Sequence, residues 1–201
     1  LPPRRRLSRP LDVASGGELY CARKAGHDMK RALFTGPGKS EEEIRQAIDA
    51  GILYFNCESE SEANKISRIA GEKGINQKIL LRINTSFSVE GGSISTCGVS
   101  QKFWFDQEVL LEKARKISKM KNVEIAGIHC FSASNILEAK LLSENAERIF
   151  SLARELEKDL KTEFEVLDIG GGIVIPYSEK EKAFDLQEFS ESLSETISKH
   201  A

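Results

Sequence analysis

The chain has 201 residues, 40% hydrophobic and 30% charged, with a net charge of −2. That is an ordinary globular balance, able to supply one sizeable core and giving no electrostatic case for a nucleic-acid partner; the basic run at 4–6 is too short to change this and reads as a solvated terminus. No apolar run approaches the roughly 18 residues of a membrane span, and the first ten residues lack the apolar core of a signal peptide.

Four cysteines (Cys21, Cys57, Cys97, Cys130) form no CxxC pair, so a reduced, cytoplasmic chain is expected. His27, His129 and His200 lack ligand-pair spacing, and no metal is expected.

Residues 1–10 read as an irregular segment. A strand follows at 11–15, then a helix, GGELYCARKAG, closed by Gly26. The next strand is 31–36. After it, Ser40 stands three residues before Glu43, a capping-box spacing, and Gly51 supplies the stop of a helix with Ile44, Ala47 and Ile48 on one face. A strand at 52–59 leads to a helix at 61–74, and a strand at 78–84 leads to a polar, glycine-bearing loop at 85–106. The helix QEVLLEKARKISKM, a strand with its exit loop at 123–134, a long helix at 135–160 and a strand running into glycines at 164–172 complete the pattern.

This gives six strand–helix units whose strands are near-continuous apolar runs, as in a parallel sheet buried on both faces. The fold class is α/β, either an open doubly wound sheet or a (β/α) barrel two units short of eight.

In either architecture the chemistry sits at the carboxyl ends of the strands. Those ends carry Asp12 and Ser15, then Gly36 to Lys39, then Asn56 and Glu58, then Arg82 and Asn84, then His129, Phe131, Ser132 and Ser134, and finally Asp168 with Gly170, Gly171 and Gly172. Three adjacent glycines after a strand form either a tight turn or a nest of uncovered N–H groups for a phosphate. The stretch at 167–177 lacks the GxGxxG spacing of a dinucleotide fold and the GK[ST] of a P-loop, which argues against NAD and ATP. Lys39 reads as a solvated loop residue.

The ordered set LDVASGGEL, FTGPGKSEEEIRQAIDAGI, NCESESE, LLRIN, ISTCGVSQKF, GIHCFSAS and LDIGGGIVIPY resembles the barrel domain of the fold-type III pyridoxal-phosphate decarboxylases, the diaminopimelate and ornithine decarboxylase family. The resemblance spans roughly residues 8 to 200. It implies a partial (β/α)8 TIM-like barrel of the alanine racemase and group IV decarboxylase type over 11–201, holding strands two to seven of eight. The C-terminal β-domain of the family is then absent.

It also implies pyridoxal 5'-phosphate as cofactor, amino-acid decarboxylation as the activity and a homodimer as the complete protein. Residue by residue, Asp12 matches the aspartate near the Schiff-base region and Arg82 the arginine under the cofactor ring system. Ser134 matches the serine that touches the phosphate, and Gly170 to Gly172 match the phosphate loop.

Phe131 stands where many members carry a histidine that stacks on the pyridine ring, and Trp104 where a glycine is expected. The family's Schiff-base lysine motif is not found, so no catalytic residue is assigned and the chain by itself is expected to be inactive. ISTCGVSQKF leans to the diaminopimelate branch and lysine biosynthesis. GIHCFSAS leans to a branch acting on carrier-linked or exopolysaccharide-associated substrates. A non-catalytic paralogue that binds a partner decarboxylase, and an unrelated barrel that binds a phosphorylated ligand, remain as alternatives. Read without the family, Asp12 is a strand-end cap, Arg82 an ion-pair partner and His129 a satisfied interior histidine.

Overall fold

The computed structural model describes residues 10–84, 94–95, 105–130, 133–134, 136–178 and 181–200. The chain divides into two compact units, Leu1–Ile79 with Met120–Glu124, and Leu80–Lys119 with Ile125–Ala201.

In the first unit, strand β1 (Leu11–Val13) leads to α1 (Gly16–Lys24), β2 (Ala32–Phe34) to α2 (Glu41–Asp49), and β3 (Tyr54–Cys57) to α3 (Glu60–Glu72). The strands lie in the order β1-β2-β3 and on to β4 (Gln77–Asn84), of which Gln77–Ile79 belong here. Pairing is parallel, with Asp12 opposite Leu33 and Phe34 opposite Phe55.

The strands are shorter than their apolar runs because the flanking residues serve the helices. Ser15 and Ser59 are N-caps, each accepting from a backbone N–H of the first turn, Glu18 and Glu62 respectively. The capping box of α2 is formed in full between Ser40 and Glu43, and Ile44, Ala47 and Ile48 are buried as the periodicity requires. Phe34 and Phe55 stack at 5.9 Å between centroids in the core of this unit. Each such buried side chain contributes about 1.5–3 kcal/mol.

The second unit holds Leu80–Asn84 of β4, then β5 (Ile94–Ser95), β6 (Phe105–Asp106), α4 (Gln107–Ile117), β7 (Val123–Cys130, from Ile125), β8 (Ala133–Ser134), α5 (Ala139–Leu160), β9 (Val166–Asp168) and α6 (Leu186–His200). The order is β4-β7-β9, with β6 parallel on β4, while β5 and β8 form a separate antiparallel pair. The stretch 85–106, expected as loop, therefore contributes two short strands; the backbone polar groups of 94–95 and 105–106 find their partners in them.

β7 and β9 run parallel with Gly127, Ile128 and His129 opposite Val166, Leu167 and Asp168. A Cβ on Gly127 would overlap the carbonyl oxygen of Val166, so the close approach needs glycine there. α5 turns Leu142, Ala146, Ile149, Ala153 and Leu156 inward at helical spacing.

This helix was expected from residue 135 but starts at Ala139. The backbone of Ile136 is already engaged: its N–H donates to Gly172 O at 2.7 Å and its carbonyl accepts from Val174 N at 3.3 Å. Across the chain, six successive strands, β1, β2, β3, β4, β7 and β9, alternate with helices in a parallel order, the pattern of a partial (β/α)8 barrel. No helix among the described residues is long and apolar enough to cross a membrane.

Candidate active site

In the second unit the site is built around the end of β9. Asp168 Oδ1 accepts from Gly170 N at 2.9 Å, an Asx turn that starts the glycine loop. Gly170 and Gly172 have φ of 73° and 108°, a region that L side chains rarely adopt. At Gly171 an added Cβ would meet no described atom within 4 Å. The Gly170 N–H is spent on Asp168, and the N–H groups of Gly171 and Gly172, with no Cβ beside them, suit a phosphate.

The other oxygen of Asp168 lies 3.9 Å from Nε2 of His129, which is 6% exposed on β7. Arg82, on β4, is half-buried. Ser134 closes β8, opposite Ile94. The bond from Ile136 N to Gly172 O and the parallel bridge between Ile136 and Ile173 bring the chain just after Ser134 to the glycine loop. Phe131 and Trp104 lie outside the described residues.

In the first unit Asp12 is exposed and accepts from the Thr35 hydroxyl at 2.6 Å. Thr35 Oγ1 in turn accepts from Asn56 Nδ2 at 2.8 Å. Behind them is a correction: Lys39 is not solvated. Its side chain is 1% exposed and its ammonium donates to Gly36 O (2.8 Å), Asn56 O (2.7 Å) and Glu62 Oε1 (2.8 Å). Three partners use all three donors, which is the condition for burying a charge. Glu62 also accepts from Glu58 N at 2.7 Å.

Neither Thr35 nor the Lys39–Glu62 pair stood out in the sequence, although a lysine in a glycine turn followed by the acidic run ESESE carried the signal. Burial, and then the charge of Glu62, push the Cys57 thiol up to about 12. The N–H of Gly16, at the start of α1, is not available to an anion. Glu43 Oε1 already accepts from Gly16 N at 2.9 Å, and the N–H groups of Ser40 and then Gly16 hold the Glu43 carboxyl below its usual value. No cluster of potential metal ligands occurs among the described residues.

Residues 5–201 match the family model described as pyridoxal-dependent decarboxylase, pyridoxal binding domain. A diaminopimelate decarboxylase of Aquifex aeolicus is 35% identical over 195 residues, covering 95% of this chain and 46% of the relative. An L-glutamyl-(BtrI acyl-carrier protein) decarboxylase of Niallia circulans is 28% identical over 187 residues, covering 93% and 44%. The crystal structure of diaminopimelate decarboxylase from Helicobacter pylori complexed with L-lysine superposes with a TM-score of 0.84 at 29% identity, covering 94% of this chain and 48% of that one. The chain thus spans about half the length of the curated relatives it matches.

Proposed function

The chain belongs to the pyridoxal-dependent decarboxylases, through their pyridoxal-binding domain, and from that premise we propose that the whole protein decarboxylates an amino acid, with diaminopimelate the first candidate substrate. The observation that carries the reading is the glycine loop at the end of β9, opened by the Asp168–Gly170 turn and held at Gly172 by Ile136. A Cβ added at Gly171 would meet no described atom within 4 Å, and the loop follows a late strand of a parallel α/β fold, where such folds place phosphate.

Gly170, Gly171 and Gly172 would receive the phosphate of pyridoxal 5'-phosphate, with Ser134 beside them. Arg82 would lie under the ring system, Phe131 would stack on it, and Asp12 would stand near the aldehyde. When bound, the cofactor supplies the sink for the electron pair left by departing CO₂. What these residues do is anchor and orient: backbone N–H groups fix the phosphate, and a half-buried guanidinium adds fixed positive charge. Residues 11–201 make up the pyridoxal-binding barrel domain in this reading, and the complete protein works as a cytoplasmic homodimer.

A carrier-linked substrate is the second reading, favoured by the resemblance to the Niallia circulans enzyme. The test is made on the full-length protein with added pyridoxal phosphate. CO₂ release is measured from meso-diaminopimelate, ornithine, arginine, lysine and a glutamyl-loaded carrier protein. Release from diaminopimelate alone is the expected result. Release from the loaded carrier alone would replace the first reading with the second, and absence of any pyridoxal absorbance would overturn both.

A further inference from the structure

The geometry points to Thr35 and Asn56 as positioning residues that aim the Asp12 carboxylate, braced from behind by the buried Lys39–Glu62 pair. This rests on the reading of Asp12 as a residue of the pyridoxal-phosphate site. The three side chains stand at the carboxyl ends of β1, β2 and β3, and backbone pairing places them in line: Thr35 N donates to Val13 O at 2.8 Å, beside Asp12.

The direction of the chain is fixed by counting protons. An ionised aspartate only accepts. The single hydroxyl proton of Thr35 therefore goes to Asp12 Oδ1, at 2.6 Å. The oxygen of Thr35 is left as an acceptor, so it is Nδ2 of Asn56 that faces it, at 2.8 Å. Asn56 Oδ1 is thereby turned away; it is buried, and no described residue donates to it. Donors in series polarise one another toward the carboxylate at the end of the line.

Asn56 is itself immobilised. It is 0% exposed, and its backbone carbonyl accepts from Lys39 Nζ at 2.7 Å. Lys39 is locked by Glu62, and Glu62 by the N–H of Glu58. The brace ties the β2 exit loop, the end of β3 and the first turn of α3 to one ammonium. A threonine that only packed would need no such line, and valine would serve as well.

The test uses the full-length protein with ¹⁵N-labelled asparagine and the variants Thr35→Val, Thr35→Ser and Asp12→Asn, singly and combined. Thr35→Val keeps the side-chain shape, and cooperative unfolding checks that it folds. In the parent and in Thr35→Ser, adding Asp12→Asn is expected to move the Asn56 side-chain amide signals. In Thr35→Val the same change is expected to leave them still. The dissociation constant for pyridoxal phosphate is expected to weaken about tenfold in Thr35→Val, one charge-assisted hydrogen bond's worth, and to return to within about twofold in Thr35→Ser.

Asn56 signals that answer Asp12→Asn equally with and without the Thr35 hydroxyl, or not at all, would overturn the proposal, as would an unchanged dissociation constant in Thr35→Val. If the parent protein takes up no pyridoxal phosphate, the functional reading falls, and the asparagine signals still decide whether the line exists.

Discussion

Asp168 and His129 face each other in register on β9 and β7, with Oδ2 3.9 Å from Nε2, while Oδ1 of the same aspartate holds Gly170 N at 2.9 Å. One carboxylate therefore joins a buried imidazole to the first residue of the glycine loop. Its turn-making oxygen and its charge can be separated. Asp168→Asn keeps an acceptor for Gly170 and loses the charge; Asp168→Ala loses both. The expected outcome is that Asp168→Ala weakens pyridoxal-phosphate binding by the full-length protein about tenfold, one hydrogen bond's worth, while Asp168→Asn stays within about threefold. Fluorescence titration of the cofactor checks it, and equal losses would show that charge, not the turn, is what matters.

The glycine loop separates fold from binding in the same way. Gly172 has φ of 108°, so Gly172→Ala is expected to cost about 1–2 kcal/mol in urea unfolding. Gly171 lies outside the positive-φ region and meets no described atom where a methyl would go. Gly171→Ala is expected to leave the urea midpoint unchanged and still to weaken cofactor binding, because the methyl covers the cradle. A Gly171→Ala variant that binds as well as the parent removes the loop from the phosphate site.

The Lys39–Glu62 pair is buried on both sides, at 1% and 7% side-chain exposure. Removing one partner strands the other charge. Lys39→Met and Glu62→Leu are each expected to destabilise by about 3–5 kcal/mol, and the double variant Lys39→Met/Glu62→Leu to recover most of that loss. Urea denaturation of the three variants forms the cycle; strictly additive losses would mean that the two charges do not depend on each other.

Cys21 is exposed, whereas Cys57 and Cys130 are buried. Iodoacetamide at neutral pH is expected to label Cys21 and to leave the other two untouched until the chain unfolds, as peptide mass mapping would show. Cys57 adds a pH dependence. Its folded value is raised to about 12 from the ordinary 9.0, so the native state favours the neutral thiol. The stability this provides is complete below about 9 and is lost as pH climbs from there toward 12. Cys57→Ala is expected to soften the alkaline fall in melting temperature.

The helices and the order of the strands were legible because local signals repeat the global answer. Ser40 and Glu43 mark the start of α2 three residues apart, and Ile44, Ala47 and Ile48 turn inward on schedule. The turn after β9 was legible for the same reason, since three adjacent glycines favour leaving a strand for positive-φ backbone. Lys39 was not, because its fate is decided by Asn56 and Glu62, which approach it only once β3 and α3 are in place. Ile136 reads as helix by composition, yet its backbone is claimed by Gly172 and Val174 from more than thirty residues away. Thr35 is an unremarkable strand-end residue until Asp12 and Asn56 arrive on either side of it.

Gly127 is defined by an atom that is not there. At Gly127 the Val166 carbonyl of β9 comes too close for any side chain on β7, and two residues further along the same register His129 meets Asp168. A methyl group at 127 would push β9 outward as a wedge and carry the aspartate and its loop with it. Such a variant would keep its helices and touch no ligand, yet a screen for function would score it as a cofactor defect. Sorting damaged variants of this protein by their distance from the glycine loop would therefore misfile Gly127, whose emptiness sets where β9 and that loop lie.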